Sequence, residues 1–319
     1  MTAVPLNIMV LAGGISHERE VSLRSGRRVA DALLAAGHNV TIVDPDARLF
    51  DRIVADKPDL VWPAVHGSSG EDGALLDLLE AAGVAFIGPQ AAAARLTWSK
   101  PISKTLVERA GISAPRSITL PREAFRELGA STVLEVVVNA LGADLVVKPA
   151  QGGSAQGVTI INSADALPRA MVDAYTYAEV ALIEQRVHGV EVAVTIVDDE
   201  NGPRALPAVE IVPTEGVYSF EARYNAGETT FFAPARLSDS AAAAVAEAAV
   251  VAHETLGLSY LSRIDFIIDE SGQPVFLEAN ALPGLTETSS APLAIEAAGL
   301  DIVRLFDAIA RLGVARAKH

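Results

Sequence analysis

The feature that most constrains this chain is an alternation over its first part, where short apolar runs and helix-patterned segments follow one another and several stop at glycine. Leu6–Ala12 is an apolar run that ends at Gly13-Gly14. A helical pattern spans Glu20 to Ala36 and is closed by Gly37, and a second apolar run covers Val40–Val43. A third run, Asp59–Val65, leads to Gly67, and a helix is expected from Glu71 to Ala82, ended by Gly83. Strands alternating with helices at this pitch predict parallel strands joined by right-handed crossovers.

A chain of 319 residues is too long for one ordinary core and suits two or three small domains. The first is expected over residues 1–98. The second, 99–186, begins with a helix over Ser99–Gly111 that tolerates Pro101 in its first turn. It continues with a strand at Leu145–Lys148, a glycine-rich segment Gln151–Gly157 and the apolar Val158–Ile161. A helix capped by Ser163 then runs to Tyr175, and a strand covers Glu179–Glu184. The third, 187–319, opens with strands Glu191–Val197 and Ala205–Val212. Pro213–Pro234 follows, a polar stretch with little periodicity, and such segments in compact domains are often functional lids. An alanine-rich helix starting at Ser238 or Ser240 ends near Gly257. Strands Leu261–Asp269 and Pro274–Asn280 flank a turn at Ser271-Gly272, and helices Ala291–Ala298 and Asp301–Leu312 close the chain.

Composition excludes several classes. There is no cysteine, so disulfides, thiolate catalysis and cysteine-bound metals are ruled out. A net charge of −15 argues against non-specific nucleic-acid binding, because an acidic surface repels a polyanion. No uninterrupted apolar stretch is long enough to span a bilayer, and no basic region followed by an apolar core opens the chain. No membrane or nucleic-acid partner is expected, and the location is read as cytoplasmic.

The densest chemistry lies on the two late strands. Residues two apart on a strand share a face, so Arg263 points with Asp265 and Glu278 with Asn280. If the strands pair through Ser271-Gly272, a guanidinium, two carboxylates and an amide oxygen converge. Oxygen-only ligands are what Mg2+ prefers. The competing reading is a surface ion pair, but Ile264, Phe266, Leu277 and Ala279 between them are expected to be buried. Gly284 follows in a turn, where an unobstructed backbone N–H either serves an oxyanion or simply makes a turn. Lys148 and the loop Gly152–Gly157 either cover polyphosphate oxygens or form a flexible surface hairpin; the spacing is not that of a P-loop. Glu184 and Glu191 either accept hydrogen bonds from a nucleotide or are solvated acids. Glu18, at a strand-to-helix junction, either holds a substrate ammonium or complements the helix dipole, with His66 nearby or structural. No Gly-x-Gly-x-x-Gly follows the first strand, which weakens a dehydrogenase reading.

Together these residues resemble the D-alanine–D-alanine ligases of the ATP-grasp superfamily. The matching stretches are Gly13–Leu23, His66–Gly73, Lys148 with its loop, Glu221-Ala222-Arg223-Tyr224, Arg263-Ile264-Asp265 and Glu278–Thr286, in family order. The resemblance implies an α/β (α+β ATP-grasp) fold of three domains, the first Rossmann-like with a parallel sheet and the other two clasping ATP. It implies ATP-dependent joining of two amino acids, with Mg2+ (two ions, Mn2+ able to substitute), and a homodimer. Lys100, Lys148 and Arg223 would contact the nucleotide, with the loop at Gly153 and Ser154 closing over phosphates. Glu184, Val187 and Glu191 would hold adenine and ribose, and Asp265, Glu278 and Asn280 would ligate metal. Glu18 would bind the first amino acid's ammonium, His66 would stand beside it, and Ser289 would contact the second one's carboxylate. Glu18, Ser154 and Tyr224 match the family's glutamate–serine–tyrosine set, and Arg263 with the Gly284 N–H would stabilise the oxyanion. Four departures leave room for altered substrate choice: Arg223 for lysine, Gly152-Gly153-Ser154-Ala155 for Glu-Gly-Ser-Ser, Ser99 for aspartate, and the segment Glu287-Thr288-Ser289. The competing readings are a relative using another amino acid or amine, and a non-catalytic nucleotide-binding protein.

Overall fold

The computed structural model describes residues 4–214 and 227–317. The opening apolar runs become β1 (Asn7–Leu11), β2 (Asn39–Val43) and β3 (Leu60–Pro63), a parallel sheet ordered β2-β1-β3. Ile8 and Val10 face one core while Met9 and Leu11 face another. A parallel strand covered on both faces needs apolar residues at every position, which explains the unbroken run. A helix from the far end of the chain, Ile302–Arg316, closes the first core, and its Phe306 ring lies 5.1 Å from that of Trp62. Helices Leu49–Asp56, Ala74–Ala81 and Ala91–Trp98 close the second.

The helix expected over Glu71–Ala82 is broken. Gly73 has φ 88, which a right-handed helix cannot carry, so a short turn Ser68–Glu71 precedes the helix Ala74–Ala81. The break leaves Glu71 at the end of a single turn.

The second sheet is antiparallel, ordered β4-β7-β5-β6 from β4 (Ser117–Pro121), β5 (Leu145–Pro149), β6 (Thr159–Ile161) and β7 (Val180–Gln185). Helices Ala130–Leu141 and Leu167–Tyr175 cover it over a core of its own. Ser163 caps as expected, its Oγ accepting from the Asp165 N–H at 3.3 Å, but a 3-10 turn intervenes before the α-helix.

The third sheet holds β8 (Gly189–Asp199), β9 (Gly202–Ala205), β10 (Val209–Pro213), β11 (Thr229–Phe232), β12 (Leu261–Asp269) and β13 (Pro274–Asn280). Its order is β11-β10-β8-β12-β13, with β9 also on β8. The strand expected over Ala205–Val212 is split at the segment containing Pro207, which has no N–H for a ladder. Part of the stretch read as a lid is β11, while residues 215–226, with Glu221, Arg223 and Tyr224, lie outside the described residues. The alanine-rich helix Asp239–Thr255 is capped by Ser238, whose Oγ accepts from the Ala241 N–H at 3.2 Å. Val107, in the helix Lys100–Arg109, packs into the core between this sheet and that helix. That helix and Ile302–Arg316 therefore pack across the domain limits expected from sequence. No described helix is long and apolar enough to cross a membrane.

A buried polar cluster ties this sheet to the closing helix. Asp198 Oδ2 accepts from the Tyr260 N–H at 2.9 Å and from Arg316 at 2.8 Å. His253 Nε2 lies 3.2 Å from Asp198 Oδ1, and its Nδ1 is 2.8 Å from Ser262 Oγ. Burial raises the Asp198 pKa, but His253, the Tyr260 N–H and Arg316 outweigh it and bring it to about 2. A folded pKa below the unfolded one contributes stability above the unfolded value and loses it as pH falls toward the folded one. We expect Asp198→Ala to cost about 3 kcal/mol at pH 7 by leaving its partners unpaired. The gap in melting temperature to wild type should shrink between pH 4 and 2, and a gap independent of pH counts against this assignment.

Candidate active site

The hairpin β12–β13 sets the centre of the site. Asp269 Oδ1 accepts from the Ser271 N–H at 2.9 Å, the Ser271 hydroxyl at 2.7 Å and the Gln273 N–H at 2.9 Å, closing the turn. The resulting register sets Arg263 opposite Asn280 and Asp265 opposite Glu278. A bulge follows, because Phe266 pairs with Phe276 and Leu277 is the extra residue. Bulges re-aim side chains. Leu277, expected to be buried, is half-buried and lines a cleft together with its neighbour Glu278.

Within the cluster the charges are matched. Arg263 forks onto Asp265 with two bonds of 2.8 Å, and Asn280 Nδ2 lies 3.3 Å from Asp265 Oδ2. Lys100 reaches across from its helix to Glu278 at 2.7 Å and to the Gly152 carbonyl at 2.8 Å. Asp265, Glu278 and Asn280 are all oxygen donors, as a Mg2+ site requires, and are too few to complete its shell. That deficit fits an ion finished by phosphate and water. The described residues hold no cluster of three or more acidic or histidine side chains of metal-binding geometry.

The cleft is about 250 Å3 and lies between the second and third sheets. Its walls include Lys100, Lys148, Gly153, Glu184, Val187, Glu191, Asp265 and Glu278; of the other residues expected to meet a nucleotide, Ser154 lines the adjoining pocket instead and Arg223 lies outside the described residues. Lys104 is a residue that sequence reasoning missed. It donates to Glu184 at 2.5 Å and to the Pro115 carbonyl at 2.8 Å, while Lys148 holds the other Glu184 oxygen at 2.6 Å. Burial alone would raise the pKa of Glu184, but Lys148 and Lys104 hold it below the usual carboxylate range. Lys104 stands one helical turn after Lys100, and that spacing was the available signal.

A second pocket adjoins the cluster, lined among others by Glu18, His66, Glu71, Ser154, Arg263, Gly284 and Ser289. The Ser154 hydroxyl donates to Glu18, linking the glycine loop to the start of the first helix. Ser154 and Ala155 have φ of 51 and 56, a left-handed conformation uncommon outside glycine and often found at active sites. Gly67, at φ 70, is needed for space as well, because a Cβ there would lie 2.5 Å from Glu18 Oε2. Gly284 passes under Ser289, whose Oγ would be 3.0 Å from an added Cβ. Ser289 Oγ accepts from the Thr286 N–H at 3.1 Å and lies 2.9 Å from Thr286 Oγ1. If the Thr286 hydroxyl donates in that contact, the Ser289 hydroxyl proton is left for a ligand.

His66 lines this pocket, yet both its nitrogens are committed. Nδ1 is 3.1 Å from the Leu282 carbonyl, which can only accept, so Nδ1 carries the proton. Nε2 then accepts from the Ser25 hydroxyl at 3.0 Å, and Ser25 Oγ accepts from the Leu285 N–H at 3.0 Å. Burial lowers the His66 pKa to about 4, so the ring is neutral near pH 7. The ring thus holds the loop carrying Gly284 rather than offering a free nitrogen. Glu71, also missed, hydrogen-bonds through Oε2 to the Gly67 N–H at 3.1 Å.

Known proteins are similar to this chain over almost its whole length. Residues 106–311 fit the family described as D-ala D-ala ligase C-terminus. The D-alanine–D-alanine ligase of Gloeobacter violaceus is 40% identical over 308 residues, covering 95% of this chain and 98% of the relative. That of Anaeromyxobacter dehalogenans is 38% identical over 302 residues, covering 95% of each. The crystal structure of D-alanine–D-alanine ligase from Bacillus anthracis complexed with ATP is 26% identical, with a TM-score of 0.79 over 98% of each chain.

Removing the acid between the two buried lysines should be costly. Glu184→Ala is expected to lose about 3–5 kcal/mol in urea unfolding, because an uncompensated buried charge remains. A loss near zero would mean that Lys104 and Lys148 reach solvent without it.

Proposed function

The chain belongs to the D-alanine–D-alanine ligase family, and from that premise we propose that it joins two D-alanines in an ATP-dependent reaction, making a peptidoglycan precursor. The observation that carries this reading is the meeting of a lysine- and carboxylate-lined cleft with a second, polar pocket at Arg263, Asp265, Glu278 and Asn280.

A carboxylate resists attack because oxide would have to leave. Taking the terminal phosphoryl group of ATP turns it into an acyl phosphate, with phosphate as the leaving group. Lys100 and Lys148 neutralise the phosphates while the backbone of Gly153 and Ser154 covers them, and Arg223 adds a further cation. Glu184, Val187 and Glu191 face the base and ribose. Asp265, Glu278 and Asn280 would hold Mg2+, which would supply charge screening for the phosphates. Glu18 receives the first amino acid's ammonium, and Ser289 the second one's carboxylate. Arg263 and the Gly284 N–H stabilise the oxyanion formed when the second amine attacks. Ser154 ties Glu18 to the loop, and Tyr224 completes that set. Water would destroy the acyl phosphate, so the reacting groups must be shielded from solvent during the reaction. The three sheets correspond to three functional units, and the enzyme works in the cytoplasm as a homodimer.

Phosphate release should require ATP, Mg2+ and D-alanine together, with D-alanyl-D-alanine identified by mass spectrometry. An active enzyme that ignores D-alanine but accepts another amino acid would move the assignment to a different substrate within the family. Glu278→Ala should lower turnover by about 10^3-fold with the melting transition retained. Undiminished turnover in that variant would remove Glu278 from the metal site.

A further inference from the structure

Two zwitterions must enter the second pocket if the reading above holds, and that sets a charge inventory. Two ammonium groups need anionic partners, and among the described residues the acids lining the pocket are Glu18 and Glu71. Glu18 already receives the Ser154 hydroxyl and is assigned to the first amino acid. The motif His66–Gly73 contains Glu71, which that assignment leaves without a role. Its side chain is 12% exposed, and Oε2 is fixed by the Gly67 N–H at 3.1 Å. Oε1 accepts no hydrogen bond among the described residues; its nearest cationic-type neighbour is His66 Nδ1 at 3.9 Å, whose proton is given to Leu282.

The second nitrogen must also lose a proton, since an ammonium has no lone pair with which to attack. His66 cannot take it, because Nδ1 is protonated and Nε2 accepts from Ser25. Arg263 is a cation bound to Asp265. We propose that Glu71 receives the ammonium of the second amino acid and takes the proton its nitrogen sheds before attack. The proton passes to a carboxylate oxygen of Glu71, and the freed lone pair forms the C–N bond at the acyl carbon. The tetrahedral oxyanion then restores its C=O as the C–O bond to phosphate breaks. Phosphate leaves with that electron pair and carries off the nitrogen's second surplus proton.

The surroundings suit this task. Burial and the neighbouring Glu18 push the Glu71 carboxyl well above its ordinary value, against the opposing pull of the Gly67 N–H, Arg263 and Lys100. A base whose pKa is raised toward that of an amine takes its proton with less uphill cost than an ordinary carboxylate. The ionised form is needed, so dipeptide synthesis falls as pH drops through the Glu71 pKa.

The test separates the two halves of the reaction in the full-length enzyme with ATP, Mg2+ and D-alanine. Hydroxylamine is unprotonated near neutral pH, so it traps the acyl phosphate as a hydroxamate without giving a proton to the protein. Glu71→Gln keeps an acceptor for the Gly67 N–H. It should cut D-alanyl-D-alanine formation about 10^2-fold or more while hydroxamate formation stays within about threefold of wild type. Glu71→Asp should restore part of the dipeptide rate, with the acidic limb of its pH profile still present. Glu71→Gln that makes dipeptide at the wild-type rate, or that loses both products equally while melting normally, overturns the proposal. Wild-type enzyme yielding neither product from D-alanine sinks the ligase reading and takes this role with it. Hydroxamate without dipeptide in wild type leaves activation intact and overturns the assignment of D-alanine as the second substrate, along with the Glu71 step written for it.

Discussion

The site depends on the pairing of β12 with β13. Three hydrogen bonds to one oxygen of Asp269 fix the turn, and the turn fixes which residues face each other. A slip of one residue would turn Asp265 or Glu278 onto the face that now buries Ile264 and Phe266. The Phe266 and Phe276 rings, 6.0 Å apart and edge-on, and the helix Asp239–Thr255 beneath them penalise that slip. The stability of the hairpin and the placement of its carboxylates are therefore one property. The bulge at Leu277 adds what strict alternation cannot, by giving two adjacent residues to the same cleft.

No single part of the fold makes the pocket. Glu18 and His66 come from loops after β1 and β3, Ser154 from the loop after β5, and Arg263, Gly284 and Ser289 from the third sheet and the segment beyond it. What joins them is a small set of polar contacts over long sequence separations: Ser154 to Glu18, Ser25 to Leu285, His66 to Leu282. Ser22 does the same deeper in, accepting from the Gly13 N–H at 2.8 Å and donating to the Ala64 carbonyl at 2.7 Å. Each is buried, so each is lost at the full cost of an unsatisfied polar group rather than at the modest worth of an exposed bond.

Much of this was legible in the sequence. The apolar runs predicted all three parallel strands: β1 and β3 are buried along nearly their whole length and leave little polar position to blur their limits, whereas β2 is largely exposed and is marked by its β-branched Val40, Ile42 and Val43. The convergence of Arg263, Asp265, Glu278 and Asn280 followed from period-two geometry. The segment between Gly111 and Leu145 was not legible. It holds β4 and two helices, one of them Ala130–Leu141, whose apolar face covers a sheet made mostly of later strands. Lys104 and Glu71 were passed over for a different reason. A charged residue on a helix looks solvated until the partner that buries it is known, and Glu184 lies 80 residues from Lys104. The breaks at Gly73 and Pro207 are local effects that the surrounding periodic pattern masks.

Charge balance constrains how such a site can work. In the structure Arg263 neutralises Asp265, Lys100 neutralises Glu278, and Lys104 with Lys148 encloses Glu184. Buried charges of this kind are stable only while paired. An anionic nucleotide cannot simply add its charge to this set, because the cations that would greet it are occupied. A divalent cation held by Asp265, Glu278 and Asn280, as proposed above, would resolve the conflict. It would supply the positive charge those carboxylates now draw from Arg263 and Lys100, leaving the guanidinium free for the oxyanion and the ammonium free for phosphate. Metal and nucleotide would then bind more tightly together than either does alone. That coupling would follow from the pairing of Arg263 with Asp265, and a site with an unpaired arginine would lack it.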